Sequence, residues 1–245
     1  MIKLKKVIPI ICAFFSVFNT NPLFAMSSES HKDRYDVFYQ CIIDKIIKHY
    51  TFTQGYEAFY NSVHLKLNER EENVSFKEAK ALVNYLYGQS YSDRKVLYSG
   101  MSEDEFKKMK FKIDGSPVES NKICTQILNH LNSKRPTPSC DRIIGIRPNK
   151  KLTMQHRNFL STSIDEKVAR DFGDIILEIE FENKICGEYI AEKSIHPDEK
   201  EVLIPPGAVF EIINIQNLTK LPTDENEKIL VSVKLTEQKN PFDNN

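Results

Sequence analysis

The stretch His196-Pro197-Asp198-Glu199-Lys200-Glu201-Val202-Leu203-Ile204-Pro205-Pro206-Gly207 sets two carboxylates two residues apart, directly before an apolar run that a Pro-Pro-Gly turn closes. Side chains of an extended chain repeat every two residues. A strand opening at Glu201, fed by a loop ending at Glu199, therefore predicts both carboxylates on one side. Their Cα atoms would lie about 6–7 Å apart, close enough to face one substrate. The same spacing recurs at Glu178/Glu180, Glu180/Glu182 and Glu225/Glu227, where alternating solvent-facing charge accounts for it. The surroundings set the first pair apart: Val-Leu-Ile-Pro-Pro-Gly follows it, and Phe159-Leu160-Ser161-Thr162-Ser163 precedes it upstream.

Working outward, the chain from Phe159 onward reads as strands. Phe159, Ser161 and Ser163 share one face, with Leu160 and Thr162 on the other. Ser163-Ile-Asp-Glu166 has the form of a capping box for a short helix with Val168, Ala169 and Phe172 inward. Ile175, Leu177, Ile179 and Phe181 alternate with Ile176, Glu178 and Glu180, a half-buried strand, and residues 202–204, 209–215 and 229–235 read as three more. Earlier, residues 94–100 form a short strand ended by glycine. Ser102-Glu-Asp-Glu105 caps a helix, and residues 120–131 form another. Residues 30–88 are helical in pattern, with one stripe at Phe38, Cys41, Ile42, Ile46 and Tyr50 and a second at Tyr56, Phe59, Tyr60 and Val63. A third helix opens at the capping box Ser75-Phe-Lys-Glu78 and carries Ala79, Leu82, Val83 and Leu86. Helices early and strands late predict an α+β fold, with a polar, frayed tail from Thr236.

At 245 residues, 40% of them hydrophobic and 15 of them Phe, the chain can build one core with a helical annex. Its 34 basic and 34 acidic residues cancel, which leaves no long-range field for nucleic acid or an anionic membrane surface and argues against both as partners. Lys3, Lys5 and Lys6, an apolar run over residues 7–18 and Leu23-Phe24-Ala25 have the three-part pattern of a secretory signal peptide ending near residue 25, so the chain is expected to be secreted. That run is shorter than the roughly twenty residues of a spanning helix, and no later segment predicts a membrane span in the mature chain. Cys41, Cys124, Cys140 and Cys186 would remain, an even number that predicts two disulfides with the pairing open. No two cysteines have zinc-ligand spacing and the six histidines are scattered, so no metal is expected.

Three separated elements carry a family likeness: Leu97-Tyr98-Ser99-Gly100, the serine-threonine-serine strand at 161–163, and Glu199-Lys200-Glu201 with its Val-Leu-Ile-Pro-Pro-Gly. In this order they resemble the arginine-specific mono-ADP-ribosyltransferases, the vertebrate ecto-enzymes and related bacterial toxins. FLSTSIDEKVARDFG (159–173) and GEYIAEKSIHPDEKEVLIPPGAVF (187–210) extend the likeness, which runs from residue 94 to about 235. It implies an ADP-ribosyltransferase-like two-sheet β core over 91–235, an N-terminal helical lobe over 26–90, a signal peptide over 1–25 and a flexible tail over 236–245.

It also implies a chemistry. Such enzymes break the nicotinamide–ribose bond of NAD and pass ADP-ribose to a guanidinium through an oxocarbenium-like transition state, which an ionised carboxylate stabilises. By resemblance that carboxylate is Glu201, Glu199 holds or deprotonates the acceptor arginine, and Ser161 fixes the direction of Glu201. Thr162 and Ser163 would support the nicotinamide pocket, with Ser163 also a candidate helix cap. Tyr98, Ser99 and Gly100 would form the first NAD-binding motif. One position departs: the family has arginine directly before the glycine, and here Ser99 stands there. Serine donates one neutral hydrogen bond and brings no charge. A charge-assisted bond contributes about 1.5–3 kcal/mol, so its loss weakens NAD binding about tenfold to a hundredfold unless another cation serves. Arg94, Lys95, Arg147 and Arg157 are the candidates. The implied function is a secreted transferase using NAD as substrate, without a metal, on an arginine-bearing protein. The alternatives are water as acceptor, making an NAD glycohydrolase, or an inactive binding module of the same fold.

Overall fold

The computed structural model describes residues 31–52, 59, 74–132, 150–218, 221 and 227–243. The expected signal segment, the stripe residues Tyr56, Tyr60 and Val63, Cys140 and Arg147 lie outside them.

Among the described residues two helices come first, α1 (His31–Tyr50) and α2 (Val74–Gly88). The stripe Ala79, Leu82, Val83 and Leu86 is buried on α2, but the helix already begins at Val74, so Ser75 lies inside its first turn instead of capping it. On α1 the buried stripe is Ile43, Ile46, Ile47 and Tyr50. Phe38, 44% exposed, and Cys41 face outward, so this helix is rotated from the expected face.

The strands are β1 (Val96–Met101), β2 (Lys110–Ile113), β3 (Ser116–Val118), β4 (Leu152–Gln155), β5 (Leu160–Ser163), β6 (Ile175–Glu180), β7 (Glu188–Tyr189), β8 (Glu201–Ile204), β9 (Ala208–Asn217) and β10 (Ile229–Gln238). Among the described residues three helices punctuate them: α3 (Glu103–Lys107), α4 (Ser120–Asn132) and α5 (Glu166–Arg170). The α+β class holds, and the expected two sheets are hydrogen-bonded into one ladder of order β3-β2-β4-β9-β10-β6-β1-β5-β8-β7. Among the described strands only β6 and β10 pair in parallel. The ladder is thinnest between β1 and β5, which share a single paired position, Tyr98 opposite Ser163.

Leu97, Phe106, Phe111, Met154, Leu177 and Phe210 anchor the main core on one face of the sheet. A second cluster joins α1 and α2 to Phe159, Ile190 and Leu203, so the helices lie over the β5–β8 end of the sheet. Strand β8 is consequently buried on both faces, Val202 and Ile204 in the main core and Leu203 under the helices, which is why Val-Leu-Ile reads as a continuous apolar run.

Three expectations change. Cys41, Cys124 and Cys186 are all free thiols, exposed, buried and half-buried respectively, so the two disulfides are not formed. Cys124 lies inside the main core, and burial pushes its thiol up to about 12, which makes it a small apolar side chain. The cap of α5 is Asp165, whose carboxylate accepts from Lys167 N–H at 3.0 Å, and not Ser163; Phe172 beyond it is 53% exposed. The polar tail does not fray at Thr236. Strand β10 runs on to Gln238, Asn240 donates to Asn84 Oδ1 at 3.1 Å, and Phe242 packs edge-on against Phe76.

Candidate active site

Three strands that are distant in sequence lie side by side in the order β1, β5, β8, and each carries one of the three motifs. Register does the rest. Ser163 pairs with Glu201 and Ser161 with Leu203, so Ser161 and Glu201 sit diagonally on one face of the sheet.

Glu201 is 3% exposed. Burial raises its carboxyl to about 7, the Ser161 hydroxyl bonded to it pulls the value down, and the nearby Glu199 pushes it up again. The Glu178 side chain is only partly buried and Glu180 and Glu182 are exposed, so the burial of Glu201 is what separates the motif from its look-alikes. Glu199 is half-buried, its carboxyl also raised, by burial first and then by Asp198 against the opposing pull of His196. The strand opens at Glu201 and the loop ends at Glu199 as expected, but the backbone between them is not extended. Glu199 ends a 3-10 turn (Pro197–Glu199), and Lys200 takes left-handed φ 49° and ψ 44° before β8 begins.

That turn is fastened to the β5–α5 corner. The Ser163 hydroxyl donates to the Glu199 carbonyl at 2.8 Å, Ile164 N–H to the Lys200 carbonyl at 3.5 Å, and the Lys200 ammonium pairs with Asp165 at 3.1 Å. Ser163 thus fastens the glutamate turn to the β5–α5 corner. Thr162, 3% exposed on the opposite face, donates to the Val202 carbonyl at 2.6 Å and ties β5 to β8.

Beside Ser161 a cleft opens between β1, the start of β5 and the segment His156-Arg157-Asn158. Ser99 and Gly100 line it with Ser161; Tyr98 does not, lying across the sheet against Ala169, Ile176 and Leu230. Gly100 lets α5 approach, because a Cβ there would come within 1.8 Å of the Ala169 carbonyl. Ser99 is 3% exposed and its hydroxyl donates to the Ser161 carbonyl at 2.7 Å, bridging the thin β1–β5 seam. Glu201 stands behind the cleft wall, and Ser161 is the residue that touches both.

Asn158, His156 and Lys108 also line this cleft, and the sequence reading passed over all three. Asn158 is 6% exposed and its Oδ1 has no hydrogen-bond partner. A buried amide oxygen left unpaired costs about 1–3 kcal/mol, which a ligand donor can recover. His156 Nδ1 lies 2.8 Å from the Asn158 carbonyl and so carries the proton; burial lowers the ring's pKa and keeps it neutral. The Pro-Pro-Gly turn holds this wall in place. Gly207 N–H donates to the His156 carbonyl at 3.1 Å and His156 N–H to Ala208 at 3.1 Å, with Gly207 at a left-handed φ of 99°. Among the described residues no group of His, Cys, Asp and Glu is arranged to hold a metal ion, and no helix is long and apolar enough to cross a membrane.

A family model described as "ADP-ribosyltransferase exoenzyme" matches residues 66–238. Rat ecto-ADP-ribosyltransferase 5 is 47% identical over 53 residues, 21% of this chain and 16% of the relative. Chicken NAD(P)(+)–arginine ADP-ribosyltransferase 1 is 36% identical over 100 residues, 38% of this chain and 30% of the relative. The matched stretches thus span less than a third of these relatives. Among solved structures, C3stau2 from S. aureus with NAD superposes with a TM-score of 0.57 at 16% identity, covering 81% of this chain and 88% of that one. Plx2a, an ADP-ribosyltransferase toxin from Paenibacillus larvae, gives 0.53 at 14% identity, covering 84% and 92%.

Proposed function

The chain belongs to the ADP-ribosyltransferase exoenzyme family, and from that premise we propose that it acts outside the cell, transferring ADP-ribose from NAD to an arginine side chain of a protein acceptor. The observation that carries this reading is the buried Glu201 held by the hydroxyl of Ser161, which lines the cleft, with Glu199 half-buried two residues before it. A carboxylate in a water-poor setting interacts strongly with positive charge, so ionised Glu201 stabilises the cation that forms on the ribose as the bond to nicotinamide breaks. Glu199 faces a different task. Guanidinium is a poor nucleophile because its nitrogens are protonated; a carboxylate that orients it and takes one proton lets nitrogen form the new bond to ribose C1'. Burial raises its carboxyl, which makes it a stronger base than a solvent-exposed glutamate. The signal-peptide pattern at residues 1–25 and the ecto-enzyme names of the relatives support an extracellular site of action.

The test is to incubate the chain with NAD and agmatine, a small guanidino acceptor, and follow nicotinamide release and agmatine labelling separately. Glu201→Gln is expected to reduce both at least about a hundredfold, the scale of removing one preorganised charge from a transition state. Glu199→Gln is expected to lower labelling more than nicotinamide release. Wild-type rates from Glu201→Gln sink the role given to that residue. Nicotinamide release without labelling in the unaltered chain assigns water as acceptor, and absence of NAD binding at millimolar concentration assigns a binding module.

A further inference from the structure

We infer that Arg157 supplies the charge that holds the diphosphate bridge of NAD, and that Ser99 has become a fastener between strands; the inference rests on the NAD-using reading above. Serine has one hydroxyl proton, and that of Ser99 is committed to the Ser161 carbonyl at 2.7 Å in a site 3% exposed. Position 99 therefore offers an anion neither charge nor a donor. Arg157 lines the same cleft from the facing wall. It is half-buried and makes no ion pair or hydrogen bond with the described residues, although a guanidinium carries five donors and stays charged at any working pH.

Its neighbours deepen the point. Lys108 also lines the cleft, and Lys110 lies close enough for Arg157 to push its titration down, after burial and ahead of Lys112. Like charges gathered at one recess repel unless an anion sits among them. The one carboxylate lining the cleft, Glu105, is engaged in capping α3, where it accepts from Ser102 N–H at 2.9 Å and Ser102 Oγ at 3.0 Å. The backbone that presents Arg157 is pinned by the two His156–Gly207/Ala208 hydrogen bonds, so the fork is displayed from a fixed strand end. A planar guanidinium matches two phosphate oxygens at once. Of the other cations weighed from sequence, Arg147 lies outside the described residues, and Arg94 and Lys95 do not reach this place: both are exposed outside the cleft, and Lys95 donates to the Glu182 carbonyl at 2.8 Å.

The experiment compares the full chain with Arg157→Ala, Arg157→Lys and Ser99→Arg, using ADP-ribose, which carries the diphosphate, and adenosine, which does not. Arg157→Ala is expected to weaken ADP-ribose binding and raise KM for NAD about tenfold to a hundredfold, the range of one lost charge-assisted contact. Adenosine binding, kcat and the melting temperature are expected to change little, and Arg157→Lys to recover part of the loss. Ser99→Arg is expected to give no gain, since the charge is already present. Wild-type ADP-ribose affinity in Arg157→Ala, or an equal loss for adenosine, overturns the inference alone. Failure of the unaltered chain to bind ADP-ribose overturns the NAD reading and this inference together.

Discussion

Glu201 titrates near pH 7 because its carboxyl has been withdrawn from water, and this has one consequence for rate and another for stability. Only the ionised form can oppose a ribosyl cation, so kcat/KM for NAD is expected to rise about tenfold per pH unit below roughly 7 and to level off above it. A pH–rate profile with no limb there argues against Glu201 as the charged group. For stability the sign runs the other way from that of an ordinary salt-bridged carboxylate. The unfolded chain loses this proton near the usual glutamate value, while the folded chain keeps it to about 7. The native state thus binds more protons across that window, and its stability falls as pH rises through it. The shift is worth about 3 kcal/mol once both states are ionised. Glu201→Gln, neutral at every pH, is expected to stabilise the chain by about 2–3 kcal/mol at pH 8 and to leave it nearly unchanged at pH 4, read from urea unfolding at both values. Equal effects at the two pH values sink the burial argument.

Strand β1 and helix α5 meet where Gly100 leaves no room for a side chain. Gly100→Ala places a carbon 1.8 Å from the Ala169 carbonyl, so α5 must move or β1 must bend. Overpacking of this kind costs about 1–3 kcal/mol, and it loosens the β5–α5 corner to which the Glu199 turn is fastened. Activity is expected to fall with stability, measured by NAD turnover and by denaturant melts; full activity with an unchanged melt shows that the corner yields freely. Much of this element-level order was legible beforehand. Strands β1, β5, β6, β8, β9 and β10 each show an apolar run or alternation of their own, and the Ser102 capping box forms as its letters suggest. Other features depend on partners that no local pattern names. The α1 sequence has Ile42, Ile43, Ile46 and Ile47 in a band too wide to fix one rotation, and contact with Phe59, Phe159 and Leu203 selects the Ile43 side. Ser163 loses its cap to Asp165 because the helix opens only at Glu166, which leaves Ser163 Oγ, two residues ahead of the cap, to accept from Asp165 N–H at 3.1 Å. Nothing in a lysine foretells the left-handed turn at Lys200, and Asn158 gains meaning only from its burial and its unpaired oxygen.

The two largest apolar clusters meet along β5 and β8, and this decides whether the helical residues before 91 form a separable lobe. The residue at 159 faces the helices and the one at 160 the main core; Leu203 faces the helices and its neighbours Val202 and Ile204 the main core. Taking away α1 and α2 therefore uncovers Phe159, Ile190 and Leu203, each at most 3% exposed: Leu203 lies on β8 with Glu201, Phe159 directly precedes β5 with its Ser161, and Ile190 directly follows β7. Each such side chain returned to water costs about 1.5–3 kcal/mol, and three together approach the 5–15 kcal/mol that stabilises a typical domain. Polar ties are lost as well, including Tyr85 to Glu188 at 3.0 Å, Lys193 to Asp44 at 3.4 Å and Asn84 to Asn240 at 3.1 Å. A chain beginning at residue 91 is accordingly expected to lack a cooperative melt, to bind a hydrophobic dye, and to show collapsed amide dispersion, whereas the full chain unfolds in one transition. A fragment from residue 91 that melts cooperatively and still turns over NAD shows instead that the helices merely rest on a core able to stand without them.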